Sequence, residues 1–114
     1  MSAARTAELI HTALEDDKAE EIVTIDIGGR SSVADVIVIA NGRSQRHVGA
    51  LADHLTRKLK DAGVQVLSVE GLPHCDWVVV DAGDVIVHLF RPEVRSFYNI
   101  EKIWTPVAPV RAAS

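Results

Sequence analysis

Cysteine and aromatic residues are scarce in this chain, long apolar runs are missing, and positive charge is in the minority. A single cysteine, Cys75, excludes an internal disulfide and fits a reducing compartment. Uninterrupted apolar stretches are a handful of residues long, far short of the roughly 20 that a membrane-spanning helix requires. The opening MSAARTAELIHTALEDDKAEE is acidic and has no apolar stretch leading to a cleavage site, so it does not read as a secretory signal. Nor is it the Arg-rich, acid-poor segment that addresses a protein to an organelle matrix. The expected compartment is the cytoplasm.

Lys and Arg number 12 against 16 Asp and Glu, a formal net charge of -4. Binding bare nucleic acid relies on cations that neutralise phosphates, so an acidic domain needs a local basic patch for it. Arg43, Arg46, Arg57, Lys58 and Lys60 fall on one predicted helix but alternate with Asp53 and Asp61, the pattern of a solvated helix face. A basic protein suits this composition better than RNA does.

What is present is enough for one domain with a real core: 114 residues, 47% hydrophobic and 25% charged. Leu9, Ile10, Ala13 and Leu14 recur at helical spacing and predict a helix over 3–18. A strand is expected over 20–27, closed by Gly28-Gly29, and a second over 33–40. In the second, Val36, Val38 and Ala40 share one side and Asp35, Ile37 and Ile39 the other; the shortage of polar positions marks it as central. Val48, Leu51, Leu55 and Leu59 define the clearest helix, with Ser44 as N-cap and Gly63 just past the end. A strand over 64–70, a loop from Gly71 to Cys75, a hairpin over 76–90 and an aromatic-bearing helical segment EVRSFYNIEKIW follow. The fold class is α/β (α+β): a mixed sheet of about five strands, two main helices and a short C-terminal helical segment. Residues 1–105 read as the folded domain and 106–114, rich in proline and small residues, as a loose tail.

The hairpin DWVVVDAGDVIVHLF is unusual because both of its faces look dry. With Ala82-Gly83 as a two-residue turn, Val80 would pair with Val85, Val78 with Val87 and Trp77 with His88. Alternation then puts Val78, Val80, Val85, Val87 and Leu89 on an aliphatic face fit to pack under helices. Trp77, Val79, Ile86, His88 and Phe90 occupy the other face, with Asp81 and Asp84 at its turn end. Either Phe97, Tyr98 and Trp104 fold back over that face, or it is a partner surface, since interface cores favour aromatic anchors with charges at the rim.

Catalytic readings fare poorly. Cys75 has no second cysteine or well-placed histidine, so it reads as a buried thiol. His47 and His54 share a helix face but lack a third ligand for zinc. The strand, NGRS turn and helix resemble the glycine-serine turn of nucleotidyltransferases. Those enzymes need a following pair of carboxylates to hold Mg²⁺ on a triphosphate, and here Asp53 stands alone. Asp81 and Asp84 are explained by turn chemistry.

In order and spacing, SVADVIVIANGRSQRHVGALADHL, then VEG with DWVVVDAGDVIVHLF, then RSFYNIEKIW, resemble the ribosomal silencing factor (Iojap) family from about Leu9 to Trp104. The block W-x-x-x-D-x-G-D-x-x-V-H combined with R-x-F-Y-x-x-E-x-x-W is the specific part. Departures are small: Val36 where the family often has an aromatic, and Ile100 and Ile103 where it more often has Leu. The resemblance implies a non-enzymatic translational repressor with a nucleotidyltransferase-like fold that has lost catalysis. It further implies binding to large-subunit ribosomal protein fourteen, blocking the joining of small and large ribosomal subunits when nutrients are short. No cofactor, metal or membrane is implied, and no sequence-specific nucleic acid. On this chain the docking residues are expected to be Trp77, Val79, His88 and Phe90, with Arg95, Tyr98 and Trp104 beside them. Asp81 and Glu101 are expected to orient neighbours such as Arg95 or the turn amides, and Gly71 to support the site. His88 is of a type that titrates near neutral pH. Two alternatives stand beside this reading: a residual nucleotide-binding protein using NGRS, and a homodimer that buries the aromatic face on itself when free.

Overall fold

A β-branched run with no polar position before its last residue belongs between two packed layers, and Val36–Asn41 is buried throughout. The computed structural model describes residues 2–28, 34–100 and 102. In chain order they form α1 (Ala3–Asp16), β1 (Glu20–Asp26), β2 (Val36–Asn41), α2 (Gln45–Asp61), β3 (Ser68–Glu70), β4 (Trp77–Asp81), β5 (Val85–Phe90) and α3 (Pro92–Tyr98). The strands make one mixed sheet in the order β1-β2-β5-β4-β3. Neighbours β2 and β5 are parallel; the other adjacent pairs are antiparallel.

Both long helices start as their sequences predict. Ser2 Oγ accepts from the Arg5 amide at 3.2 Å, and Ser44 Oγ accepts from the His47 amide at 3.1 Å. Gly63, at φ +80, ends α2, and the next amide, Val64 N–H, donates back to the Leu59 carbonyl at 2.8 Å. The apolar stripes Ile10, Ala13, Leu14 and Val48, Leu51, Leu55, Leu59 then pack on one face of the sheet with Val36, Val38, Val78, Val80, Val85, Val87 and Leu89. Burying each such Val, Leu or Ile side chain contributes roughly 1.5–3 kcal/mol, so this layer is the main source of stability.

Two expectations are adjusted. The strand expected over 64–70 is paired only at Ser68–Glu70, although Val64 and Val66 still pack toward the helix-side core. The segment joined to β2 through α2 is therefore a three-residue edge strand, and β5 and β4 lie between it and β2. In the hairpin, Trp77 pairs with Phe90, Val78 with Leu89, Val79 with His88, Val80 with Val87 and Asp81 with Ile86. That register is two residues from the tight-turn expectation. A shift of two leaves every side chain on its expected face, because strand alternation has a period of two. Among the described residues, no helix is long and apolar enough to cross a membrane.

Candidate docking site

The sheet face turned away from α1 and α2 is built row by row from the strand registers. One row across the sheet runs Glu70, Val79, His88, Ile39, Val23; the next runs Ser68, Asp81, Ile86, Ile37, Ile25. Toward β1 and β2 it carries a small second core of Ile27, Ala34, Ile37 and Ile39, joined by Phe90 from the end of β5, to which Val94 and Ile100 add cover. The β4–β5 half is less covered, with Trp77, Val79, Asp81, Ile86 and His88 all half-buried.

On that half the aromatic rings form one connected cluster. Trp77 stacks on Phe90 with centroids 5.0 Å apart, and Tyr98 of α3 lies over Trp77 at 4.9 Å. Phe97 meets Tyr98 edge to face at 5.0 Å. The cluster's outer members remain in water: Phe97 is 80% and Tyr98 53% exposed. A groove of ≈ 440 Å³ beside them is lined by Asp76, Trp77, Glu93, Val94, Phe97 and Tyr98. Folding back and partner surface were alternatives in the sequence. Tyr98 covers part of the face, and what it leaves open is itself aromatic.

The expected site residues separate into three groups. Trp77, Val79, His88 and Tyr98 come together on this face. Phe90 is 0% exposed, so its expected contact with a partner is corrected: it is the floor on which Trp77 stacks. Arg95 is 9% exposed and turns inward, its Nη1 donating to the Glu21 carbonyl at 2.6 Å and to Asn41 Oδ1 at 3.0 Å. Glu101 and Trp104 lie outside the described residues.

The supporting residues have definite roles. Asp81 Oδ1 accepts from the Gly83 amide at 2.9 Å and so holds the hairpin turn, as expected of a carboxylate beside turn amides. Gly71, at φ +103, passes so close to β4 that a Cβ there would meet the Trp77 carbonyl oxygen at 2.1 Å.

Electrostatics sharpen the picture. His88 Nδ1 accepts from the Trp77 indole at 3.0 Å, and burial pushes the imidazole pKa from 6.5 down to about 4. The expectation that His88 titrates near neutral pH is thereby corrected, because the apolar face disfavours the charged form. At the groove, the Gln45 amide donates to Asp76 Oδ1 at 2.9 Å and Arg91 Nε to the same oxygen at 2.8 Å. Those contacts, led by Gln45, hold the Asp76 carboxyl below its ordinary value despite the opposing effect of desolvation. Exposed Glu93 and Glu70 complete an acidic rim that the sequence reading did not single out. Counting alternate residues through VEG into the hairpin ladder is the signal that places Glu70 on this face.

The catalytic alternatives find little here. At the NGRS turn, the Gly42 amide donates to the Phe90 carbonyl at 2.9 Å and the Arg43 amide to His47 Nδ1 at 2.9 Å. Two amides that a phosphate would use are thus already engaged. A Cβ at Gly42 would lie 2.8 Å from Val48 Cγ2, so this glycine is explained by close approach to α2. His47 and His54 both reach Asp17, at its carbonyl and its carboxylate respectively. Cys75 is buried against α2 at Gly49. No group of three or more His, Cys, Asp or Glu that could hold a metal ion occurs among the described residues.

Comparison with known proteins adds an independent line. Residues 1–113 match the family model described as ribosomal silencing factor during starvation. The chain is 56% identical over 97 residues to a ribosomal silencing factor of Zymomonas mobilis, covering 85% of this chain and 73% of that protein. A crystal structure of a Chromobacterium violaceum protein superposes with a TM-score of 0.90 at 39% identity, covering 100% of this chain and 95% of the other. A more distant mouse relative, named mitochondrial assembly of ribosomal large subunit protein 1, is 32% identical over 101 residues, 86% of this chain and 44% of its own length.

Proposed function

The chain belongs to the ribosomal silencing factor family, and from that premise we propose that it represses translation by docking on large-subunit ribosomal protein fourteen and blocking subunit joining. It acts in the cytoplasm, without catalysis, chiefly when nutrients are limiting. The observation that carries the reading is the half-covered aromatic cluster with an acidic rim: Trp77, Tyr98 and Phe97 flanked by Asp76, Glu93 and Glu70. Aromatic residues offer about 150–250 Å² each, so three of them supply a large part of the roughly 800 Å² per partner of a standard interface. Ribosomal proteins are basic, and an acidic rim raises the encounter rate with such a partner. The name of the mouse relative points to the same subunit.

Co-sedimentation with isolated large subunits, followed by a subunit-joining assay, tests the proposal. The expected result is retention on large subunits and reduced joining with added small subunits. Absence of retention at micromolar protein sinks it. The nucleotide-binding reading is decided by titration calorimetry with ATP and Mg²⁺: Mg²⁺-dependent heat restores it, and a flat trace retires it.

A further inference from the structure

We propose that Arg95 is a positioning residue: it latches α3 to the β1–β2 edge of the sheet and so sets Tyr98 and Phe97 beside Trp77, without itself meeting the docked partner. The inference rests on the docking function argued above and concerns how that surface is held in shape.

The need for a latch follows from the helix. α3 is seven residues long, its N-cap Arg91 makes no side-chain cap bond, and it ends at Asn99 in the left-handed conformation. Helices this short do not persist by local bonding, so tertiary contacts must hold α3 in place. Tyr98, one of its last residues, supplies the ring over Trp77, and Phe97 precedes it. The placement of α3 therefore decides the shape of the aromatic cluster.

Two inward side chains do the holding from within the helix. Val94 packs on the second core. Arg95 reaches the far side of the sheet, where β1 is irregular: the β1–β2 register shifts between Glu20 and Val23, and Glu21 has φ +52. The ladder skips Glu21, and its carbonyl accepts from Arg95 Nη1 at 2.6 Å. The same nitrogen donates to Asn41 Oδ1 at 3.0 Å, at the end of β2. Asn41 is 6% exposed. A buried cation persists only where fixed acceptors meet it, and a charge-assisted bond to a fixed acceptor is both strong and directional. One guanidinium thereby ties residue 95 to positions 21 and 41. At 9% exposure it offers little surface to a partner.

The test has two arms. In the free protein, hydrogen exchange is compared between wild type, Arg95→Met, which keeps much of the apolar stem, and Arg95→Lys, which keeps the charge. Amides of residues 94–100 are expected to exchange about tenfold faster in Arg95→Met, the loss that one buried charge-assisted bond implies, with partial recovery in Arg95→Lys. Amides of β2 and β5 should be unchanged. Unchanged exchange at 94–100, or equal loosening of the whole sheet, overturns the latch. In the second arm, affinity for isolated large subunits is measured for Arg95→Met, Tyr98→Ala and the double variant. If Arg95 acts through Tyr98, the double variant binds no more weakly than the weaker single one. Multiplicative losses mean that Arg95 acts separately and overturn the positioning role. Failure of wild type itself to bind large subunits refutes the docking reading and the docking half of this proposal, whereas the exchange arm still decides the latch.

Discussion

The Trp77 indole N–H donates to Nδ1 of His88 at 3.0 Å, with the ring centroids 5.9 Å apart, so the imidazole proton sits on Nε2 and the two side chains act as one unit. The pairing places a polar bond inside an otherwise apolar face, and its consequences are measurable.

Stability is expected to fall between pH 6.5 and pH 4. In the folded state His88 stays unprotonated down to about 4, whereas the unfolded chain takes up its proton near 6.5. The unfolded state thus binds more protons in this window, and the contribution, complete above pH 6.5, is lost as pH falls toward 4. It amounts to at most about 3 kcal/mol. Asp76, held below its ordinary 3.8, titrates below the window. Urea unfolding at pH 7 and pH 4.5 should show a markedly smaller drop for His88→Gln than for wild type; equal drops would refute the assignment.

The exposed aromatics are expected to separate binding from folding. Phe97 is 80% exposed, so Phe97→Ala should change stability by no more than about 0.5 kcal/mol. The same substitution should weaken retention on large subunits about tenfold or more, as loss of an aromatic anchor does. Trp77→Ala is a poorer probe, because it also removes the stacking on Phe90 and costs on the order of 3 kcal/mol of stability. Normal retention of a folded Phe97→Ala protein would remove Phe97 from the site.

Two glycines with positive φ should respond differently to alanine. At Gly71, with φ +103, a Cβ would collide with the Trp77 carbonyl at 2.1 Å, so Gly71→Ala must displace β4 or its own loop. At Gly83, with φ +85, nothing lies within 4 Å, so only left-handed strain of about 1–2 kcal/mol applies. Denaturant unfolding should therefore rank Gly71→Ala well below Gly83→Ala. The reverse order would contradict the close approach.

The acidic rim is expected to act on association rate. Glu93→Gln and Glu70→Gln should each lower the on-rate for large subunits about two- to five-fold at low salt and leave the off-rate nearly unchanged. Raising ionic strength past roughly 0.15 M should erase most of the difference, since exposed charges are then screened within about 8 Å. Rates indifferent to both salt and substitution would mean that the rim does not face the partner.

Much of the architecture was readable locally. Ser44 as N-cap, Gly63 past the end of α2 and the apolar spacing of Val48, Leu51, Leu55 and Leu59 belong to a few turns of chain, and the structure follows them. The site was half readable. All five aromatics lie between Trp77 and Trp104, and alternation put Trp77, Val79 and His88 on one face. Phe90 and Arg95 were expected at the surface, because composition cannot tell an aromatic floor from an aromatic anchor, or a guanidinium turned inward from one turned outward.

By itself the sequence determined which side chains share a face, where the two long helices begin and where α2 ends, and, through its hairpin and R-x-F-Y blocks, the family. Those properties depend on periods of 2.0 and 3.6 residues and on caps, which neighbouring residues dictate. Tertiary structure alone decided that β2 pairs with β5 and that the hairpin register moves by two. It also decided that Arg95 reaches Glu21 and Asn41, and that His88 is held unprotonated down to about 4. Each of these depends on contacts between distant parts of the chain, which set burial and acceptor geometry.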